Sequence, residues 1–340
     1  MRALSEDWRD QLSSAAIPSS GLMKAAIMIA PREIVIREIE VPLPGPDEVR
    51  VRLKGCGVCA SNVTPWEGPQ WMIFPTRPGG LGHEGWGVVD ALGAGVTSLL
   101  PGDRVATLFA NSFAQYDVGK AEAVVKLPGS LARKPFPGEP LGCAMNIMKR
   151  SGIEPGGFVA VIGIGFLGSV LTQLASHAGA RVIAISRRQA SLELAREMGA
   201  AATIPMNDTG SVIASVREMT GATMCDRVIE ATGKQGPLDL AGELVREGGR
   251  LIIAGYHQDG PRHVNMQQWN WKGIDVVNAH ERDPAVYVQG IKDAIKACVD
   301  GHLVTERLYT HYYPLSELGA ALQATRDHPE GFVKALVMMP

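Results

Sequence analysis

Charge of one sign is what this sequence lacks. Its 33 Lys and Arg nearly balance 35 Asp and Glu, for a formal net charge of −2. That balance argues against a broad basic face for holding nucleic acid. Long hydrophobic runs are missing too. The most apolar region, residues 158–184, is broken by glycines, by Gln173 and by His177, and no stretch reaches the roughly 20 apolar residues that cross a bilayer. Cysteine is scarce and odd in number, five in 340 residues. A disulfide scaffold does not fit that count, and a reducing cytoplasm does. Internal repeats and low-complexity tracts are absent. The polar opening Met1–Leu22 lacks the apolar segment and the cleavage pattern of a secretory signal. It reads as a polar extension ahead of a folded part that starts near Met23.

What is present suffices for two ordinary domains. The hydrophobic fraction is 46% and the charged fraction 20%, as in globular proteins with real cores. From Lys24 to Arg52 the pattern is short strands, Ile34–Ile39 and Glu48–Arg52, parted by a proline-rich turn. Further strand signals fall at Gly87–Val89, Asp103–Val105 and Ala123–Val125. The proline-rich stretch Pro135–Pro140 reads as a linker, and a helix is expected from about Ala144. From Phe158 the texture changes to alternation. Strands are expected at 158–162, 181–185, 226–231 and 250–254, with helices at 166–177, 189–198, 211–220 and 238–245. Such alternation predicts a doubly wound parallel sheet. An amphipathic helix over Val286–Val299 and a β-rich tail follow. The expected layout is an extension over 1–22, a discontinuous β-rich domain over 23–144 and 276–340, and a Rossmann nucleotide domain over 145–275.

Two motifs carry chemistry. The first is Gly163-Ile164-Gly165-Phe166-Leu167-Gly168, placed between a strand and a helix. Gly163 permits a tight turn, Gly165 lets the backbone approach a pyrophosphate, and Gly168 lets the helix pack on the strand. The helix start, from Phe166 and Leu167, then offers free N–H groups to phosphate. A purely structural turn is the competing reading. At the end of the next strand stand Ser186, Arg187 and Arg188, with no carboxylate for the ribose hydroxyls of NAD. A hydroxyl and two guanidiniums suit a 2′-phosphate, so NADP(H) is expected in preference to NAD(H). A solvated basic turn is the alternative.

The second motif is a dispersed ligand set. Cys59 lies in Gly55-Cys56-Gly57-Val58-Cys59-Ala60-Ser61, His83 and Glu84 in Gly82-His83-Glu84-Gly85, and Cys143 in Leu141-Gly142-Cys143-Ala144. Two thiolates and one imidazole form an open zinc site with a fourth position for water or substrate. Taken singly, each has another reading. Cys56 and Cys59 could be a redox pair or half a zinc knuckle, His83 a satisfied buried histidine, and Cys143 an inert core thiol. Their order, with a cofactor loop behind them, favours the metal.

At these residues the chain resembles the zinc-dependent medium-chain alcohol dehydrogenase superfamily, from about Met23 to the C-terminus. The resemblance rests on Gly57-Val58-Cys59-Ala60-Ser61, Gly82-His83-Glu84-Gly85-Trp86-Gly87, Pro101-Gly102-Asp103-Arg104-Val105, Gly142-Cys143 and the glycine loop. It implies a GroES-like catalytic domain interrupted by the Rossmann domain, and zinc ligands Cys59, His83 and Cys143. It also implies a metal-approaching carboxylate at Glu84, a proton-accepting hydroxyl at Ser61 and a cofactor-phosphate cation at Lys334. A homodimer or homotetramer is expected.

Three departures stand out. Seven residues separate Val105 from Phe113 and none is Cys, so the lobe of four structural cysteines is missing and one zinc per subunit is expected. The usual relay histidine is Thr64. The usual carboxylate beside the histidine ligand is Asn62, whose amide can still accept an imidazole N–H.

The implied reaction is hydride transfer between NADP(H) and an alcohol or carbonyl substrate, with the proton leaving through Ser61 and Thr64. Two other classes compete: a zinc-independent quinone or enone reductase, and a non-catalytic nucleotide-binding protein. Trp66, Trp71 and Trp86 are candidate pocket walls. Asn111, Gln115, Asn146 and His280 are candidate contacts for substrate hydroxyls.

Overall fold

A computed structural model describes residues 21–131 and 133–340. The expected extension over 1–22 lies outside the described residues except for its last two, and Leu22 already opens a strand. In chain order the first half comprises β1 (Leu22–Ala30), β2 (Glu33–Glu40), β3 (Glu48–Gly57), a 3-10 turn (Ala60–Asn62), α1 (Val63–Glu67), β4 (Glu84–Leu92), β5 (Arg104–Thr107), β6 (Tyr116–Lys120) and β7 (Val124–Lys126). Then come α2 (Gly138–Ser151), β8 (Phe158–Ile162), α3 (Phe166–His177), β9 (Arg181–Ser186), α4 (Gln189–Glu197), β10 (Ala202–Pro205), α5 (Thr209–Met219), β11 (Cys225–Glu230), α6 (Gln235–Leu244) and β12 (Val245–Ile253). The chain closes with α7 (Met266–Lys272), β13 (Asp275–Asn278), α8 (Pro284–Val299), β14 (His311–Pro314), α9 (Leu318–Asp327) and β15 (Ala335–Met338).

β1 and β2 pair as an antiparallel hairpin whose turn holds Arg32 at φ 62°. The β-rich domain is built on a sheet ordered β14-β15-β3-β4-β5-β7, with β6 also paired to β3. The last strand, which begins at Ala335, thus lies beside β3, which begins at Glu48, and this is why the domain is discontinuous. Val49, Val51 and Leu53 alternate inward along β3 and meet Val89, Phe113, Leu322 and Val337, the period-two burial expected of a sheet with one buried face.

The second sheet has six parallel strands in the order β10-β9-β8-β11-β12-β13. Both of its faces are covered. Val159 and Val161 of β8 join one core with Val170 and Leu171 of α3, while Ala160 and Ile162 join another with Val212 and Leu244. A strand buried on both faces reads as a continuous apolar run, as Phe158–Ile162 does. The order reverses between β8 and β11, and crevices of such sheets open at the carboxyl ends of the strands there.

The structure departs from the expected elements in three places. α2 starts at Gly138, not near Ala144, because Glu139 and Pro140 form its first turn instead of a linker. β13 is the sixth strand of the parallel sheet and ends at Asn278, so a boundary after residue 275 falls inside it. α9 occupies part of the tail read as β-rich, burying Leu318, Ala321, Leu322 and Thr325 on one face.

Candidate metal and nucleotide site

Cys59 stands just past the end of β3, ahead of the turn Ala60–Asn62. Asn62 holds the turn, since its Oδ1 accepts the Cys59 N–H at 3.0 Å. Its Nδ2 donates to the Leu81 carbonyl at 2.9 Å, and His83 Nδ1 meets the same carbonyl at 2.9 Å. Leu81 itself sits at φ 71°, an uncommon backbone for a branched residue. A carbonyl partner keeps a proton on His83 Nδ1 and leaves Nε2 as the nitrogen that a metal would take in place of a proton, the way a metal-binding imidazole is usually oriented. The expectation that Asn62 accepts the imidazole N–H is therefore corrected. The Leu81 carbonyl takes that role, and Asn62 acts one step behind it.

Glu84 opens β4 opposite Gly57 of β3. A Cβ on Gly57 would stand 1.8 Å from Glu84 Oε2, so glycine there is what lets the carboxylate lie over the strand. Glu84 is fully buried and Lys334 nearly so. The Lys334 ammonium donates to Glu84 Oε1 at 2.6 Å and lies equally close to Oε2. Lys334 was expected at the cofactor phosphates; its ammonium instead pairs with Glu84 and sits 4.9 Å from the Phe166 ring, at the start of α3.

One ligand atom each from Cys59, His83 and Glu84 lie within 4.8 Å of one another. Cys143, expected as a further ligand, is not one of the three in this group. Its sulfur lies 3.2 Å from Glu139 Oε1 and 3.6 Å from the Tyr287 hydroxyl of α8. The reason is the early start of α2, which brings Glu139 to the pocket one turn before Cys143. Glu139 escaped the sequence reading. Its signal was an acid and a proline in a helical first turn, Gly138-Glu139-Pro140.

The electrostatics ask for a cation. Burial opposes charge on His83, yet the Cys59 sulfur, Glu139 and Glu84 together push its pKa up to about 10. Burial raises Glu139, against the pull of His83. Burial and then Glu139 raise the Cys143 thiol well above its ordinary value. A sulfur, an oriented imidazole and buried carboxylates, with the Lys334 ammonium as a fixed positive charge beside them, fit a divalent zinc ion. Ser61 is half-buried in the turn that follows Cys59, and Thr64 half-buried on α1.

The glycine loop has the shape its spacing predicts. Gly163 turns at φ 94°. A Cβ on Gly165 would meet nothing within 4 Å, whereas one on Gly168 would stand 1.9 Å from the Gly163 carbonyl. The middle glycine thus faces open space at the start of α3, and the last allows helix and strand to touch. Ser186 ends β9 and its hydroxyl accepts the Arg188 N–H at 3.4 Å. Arg187 is exposed and Arg188 half-buried. Burial and then the Arg187 charge lower the pKa of Arg188. Among the described residues neither guanidinium is in an ion pair.

The other candidates divide. Trp66 and Trp86 are buried in the cores, and Trp71 is exposed. Gln115 accepts the Lys24 N–H at 2.7 Å, and Asn146 is buried against the Val286 carbonyl. Both are structural. Asn111 is held by its backbone N–H to Asp117, and His280 stacks on Tyr256 with ring centroids 5.7 Å apart.

Comparison with known proteins agrees with this architecture. The zinc-binding dehydrogenase family matches residues 167–296, and the alcohol dehydrogenase GroES-like domain matches residues 45–138. An alcohol dehydrogenase of Geobacillus stearothermophilus is 31% identical over 268 residues, covering 68% of this chain and 77% of the relative. A sorbitol dehydrogenase of Gallus gallus is 29% identical over 348 residues, covering 91% of this chain and 94% of the relative. Among solved structures, one described as a zinc-binding dehydrogenase of Sinorhizobium meliloti 1021 bound to NADP superposes with a TM-score of 0.82 at 26% identity, over 94% of this chain and 99% of that one.

Proposed function

Since the chain belongs to the zinc-containing medium-chain dehydrogenase/reductase superfamily, as an alcohol or polyol dehydrogenase, we propose that it moves hydride between NADP(H) and a secondary alcohol, a polyol or the matching carbonyl compound. The observation that carries this reading is the place of Lys334. It pairs with Glu84 in the metal pocket and lies over Phe166, the first residue of the nucleotide helix. Metal donors and phosphate-binding turn therefore meet at one point.

In this reading Cys59, His83 and Glu84 hold one zinc ion, with Glu139 as the donor from α2 and Cys143 hydrogen-bonded behind it. When bound, the ion supplies Lewis acidity toward the substrate oxygen. Ser61 takes the alcohol proton at its Oγ, and Thr64, one turn on, passes it outward. Gly165 admits the pyrophosphate to the free N–H groups of α3. Ser186, Arg187 and Arg188 take a 2′-phosphate, for which charge-assisted forked bonds are the suited partners. The NADP bound to the Sinorhizobium relative supports the same choice. Lys334 offers its charge to the pyrophosphate when it turns from Glu84.

The enzyme works in the cytoplasm as a homodimer or homotetramer. Supporting assembly, β13 is an edge strand with exposed residues, and Trp271 and Met266 of α7 beside it are exposed as well. No described helix is long and apolar enough to cross a membrane.

The cofactor assignment is tested by kcat/KM for NADPH and NADH on one alcohol–carbonyl pair. NADPH should be favoured by about tenfold or more, the worth of one charge-assisted hydrogen bond. Arg187→Asp should move the ratio toward NADH. A wild-type preference for NADH refutes the assignment.

A further inference from the structure

Glu230 ends β11, beside β8, where the order of the parallel sheet reverses. Its side chain is fully buried, a costly place for a carboxylate unless its lone pairs are met. They are met. Oε1 accepts the N–H of Thr232 at 2.6 Å and of Gly233 at 3.0 Å, and the Thr232 hydroxyl donates to it as well. Oε2 faces His257 Nε2 at 3.0 Å. On the far side of the ring, His257 Nδ1 accepts from Arg262 Nε at 2.8 Å. A ring that accepts at Nδ1 carries its proton on Nε2, so the two bonds fix both tautomer and orientation. Arg262 goes on to the Gly233 carbonyl at 2.8 Å and to Asp259, which pairs with Lys234 at 2.7 Å.

None of these groups has a part in the chemistry above, yet they tie together the loops after β11 and β12. The fit is close: a Cβ on Gly255 would stand 2.9 Å from Glu230 Oε2. The first loop abuts the glycine turn, since Thr232 Cγ2 would be 2.3 Å from a Cβ on Gly163. The second loop reaches the metal-binding segment, where Gln258 Nε2 donates to the Ala60 carbonyl at 3.4 Å, between Cys59 and Ser61. One imidazole therefore links the phosphate turn on one side of the crevice to the metal loop on the other.

We infer that His257 is a positioning residue. Through Glu230 and Arg262 it holds the loop 255–262 as the wall of the nicotinamide half of the cofactor cleft, at a set distance from the metal loop. The inference rests on the reading of the crevice as a dinucleotide site, and the test separates the two.

The zinc-loaded enzyme is titrated calorimetrically with NADPH and with 2′,5′-ADP, which fills only the adenosine half. Wild type, His257→Phe and His257→Gln are compared. Gln keeps an N–H donor near the place of Nε2 and guards against a Phe variant that does not fold. His257→Phe should weaken NADPH by about tenfold or more and leave 2′,5′-ADP within about twofold, since one hydrogen bond to a buried charge is lost on one side of the cleft. His257→Gln should recover most of the loss. Unchanged NADPH affinity in both variants, or parallel weakening of both ligands, overturns the inference. Failure of the wild type to bind NADPH, and NADH titrated in the same way, overturns the dinucleotide reading beneath it.

Discussion

Ser61 carries a hydroxyl two residues beyond the Cys59 sulfur, half-buried in the segment that Asn62 pins to Leu81. If it accepts the substrate proton, Ser61→Ala keeps its zinc and loses about 10²–10⁴ in kcat for alcohol oxidation. Thr64→Ala loses less, because water can replace an outer hydroxyl. Wild-type kcat in Ser61→Ala, with a full deuterium isotope effect showing that chemistry limits the rate, would mean another exit for the proton. The two candidate metal ligands on α2, Glu139 and Cys143, also differ in their expected roles. Glu139 is the one whose charge reaches His83, while Cys143 is hydrogen-bonded to Glu139. Glu139→Gln should therefore weaken zinc binding by about 10–100-fold, as loss of a metal-supporting group does, and Cys143→Ser should hold zinc nearly as well as wild type. Competition with a chelator measures both, and the opposite ranking would restore Cys143 as the ligand. Cys59, His83 and Glu84 were legible in sequence because a thiol, an imidazole and a carboxylate stand within the glycine-punctuated stretches Gly55–Ser61 and Gly82–Gly85. Glu139 was not, since an acid next to proline looks like any loop.

Among the elements, the parallel sheet could be read directly. Its strands are buried on both faces and its first turn is punctuated by Gly163, Gly165 and Gly168, so both composition and spacing speak. The short elements could not. β13 is mostly exposed and shows no alternation, and α9 spans three turns with a glycine in the first. The loop between β5 and β6 contains a further feature that only the folded chain reveals. Asp117, the second residue of β6 at the end of that loop, is buried and accepts the N–H groups of Asn111 and Val118 and the Ser112 hydroxyl. Burial outweighs those bonds and pushes its pKa up to about 6. A raised folded pKa means that the native state holds the proton more tightly than the unfolded chain does. Its stabilising share is present below the unfolded value near 4 and is lost as pH rises through about 6. Asp117→Asn removes that loss. Denaturant unfolding from pH 4 to pH 7 should show the variant gaining on wild type by up to about 3 kcal/mol. A stability difference that stays flat across this range contradicts the assignment.

At the scale of the molecule, two domains meet where Lys334 stands between Glu84 and Phe166, and where Gln258 reaches Ala60. Chemistry at such a junction needs both halves, so metal and nucleotide should be required together and in fixed ratio. The described residues contain one cluster of three or more thiol, imidazole and carboxylate groups close enough to hold a metal ion, Cys59, His83 and Glu84. The most direct test strips the protein of metal and titrates zinc back at saturating NADP⁺ with a panel of secondary alcohols and polyols. NADPH formation should rise in proportion to bound zinc and level off at one ion per chain. Cys59→Ala should bind NADPH as wild type does yet neither hold zinc nor turn over. Full activity in the metal-free protein, or a plateau only at two ions per chain, would contradict the account.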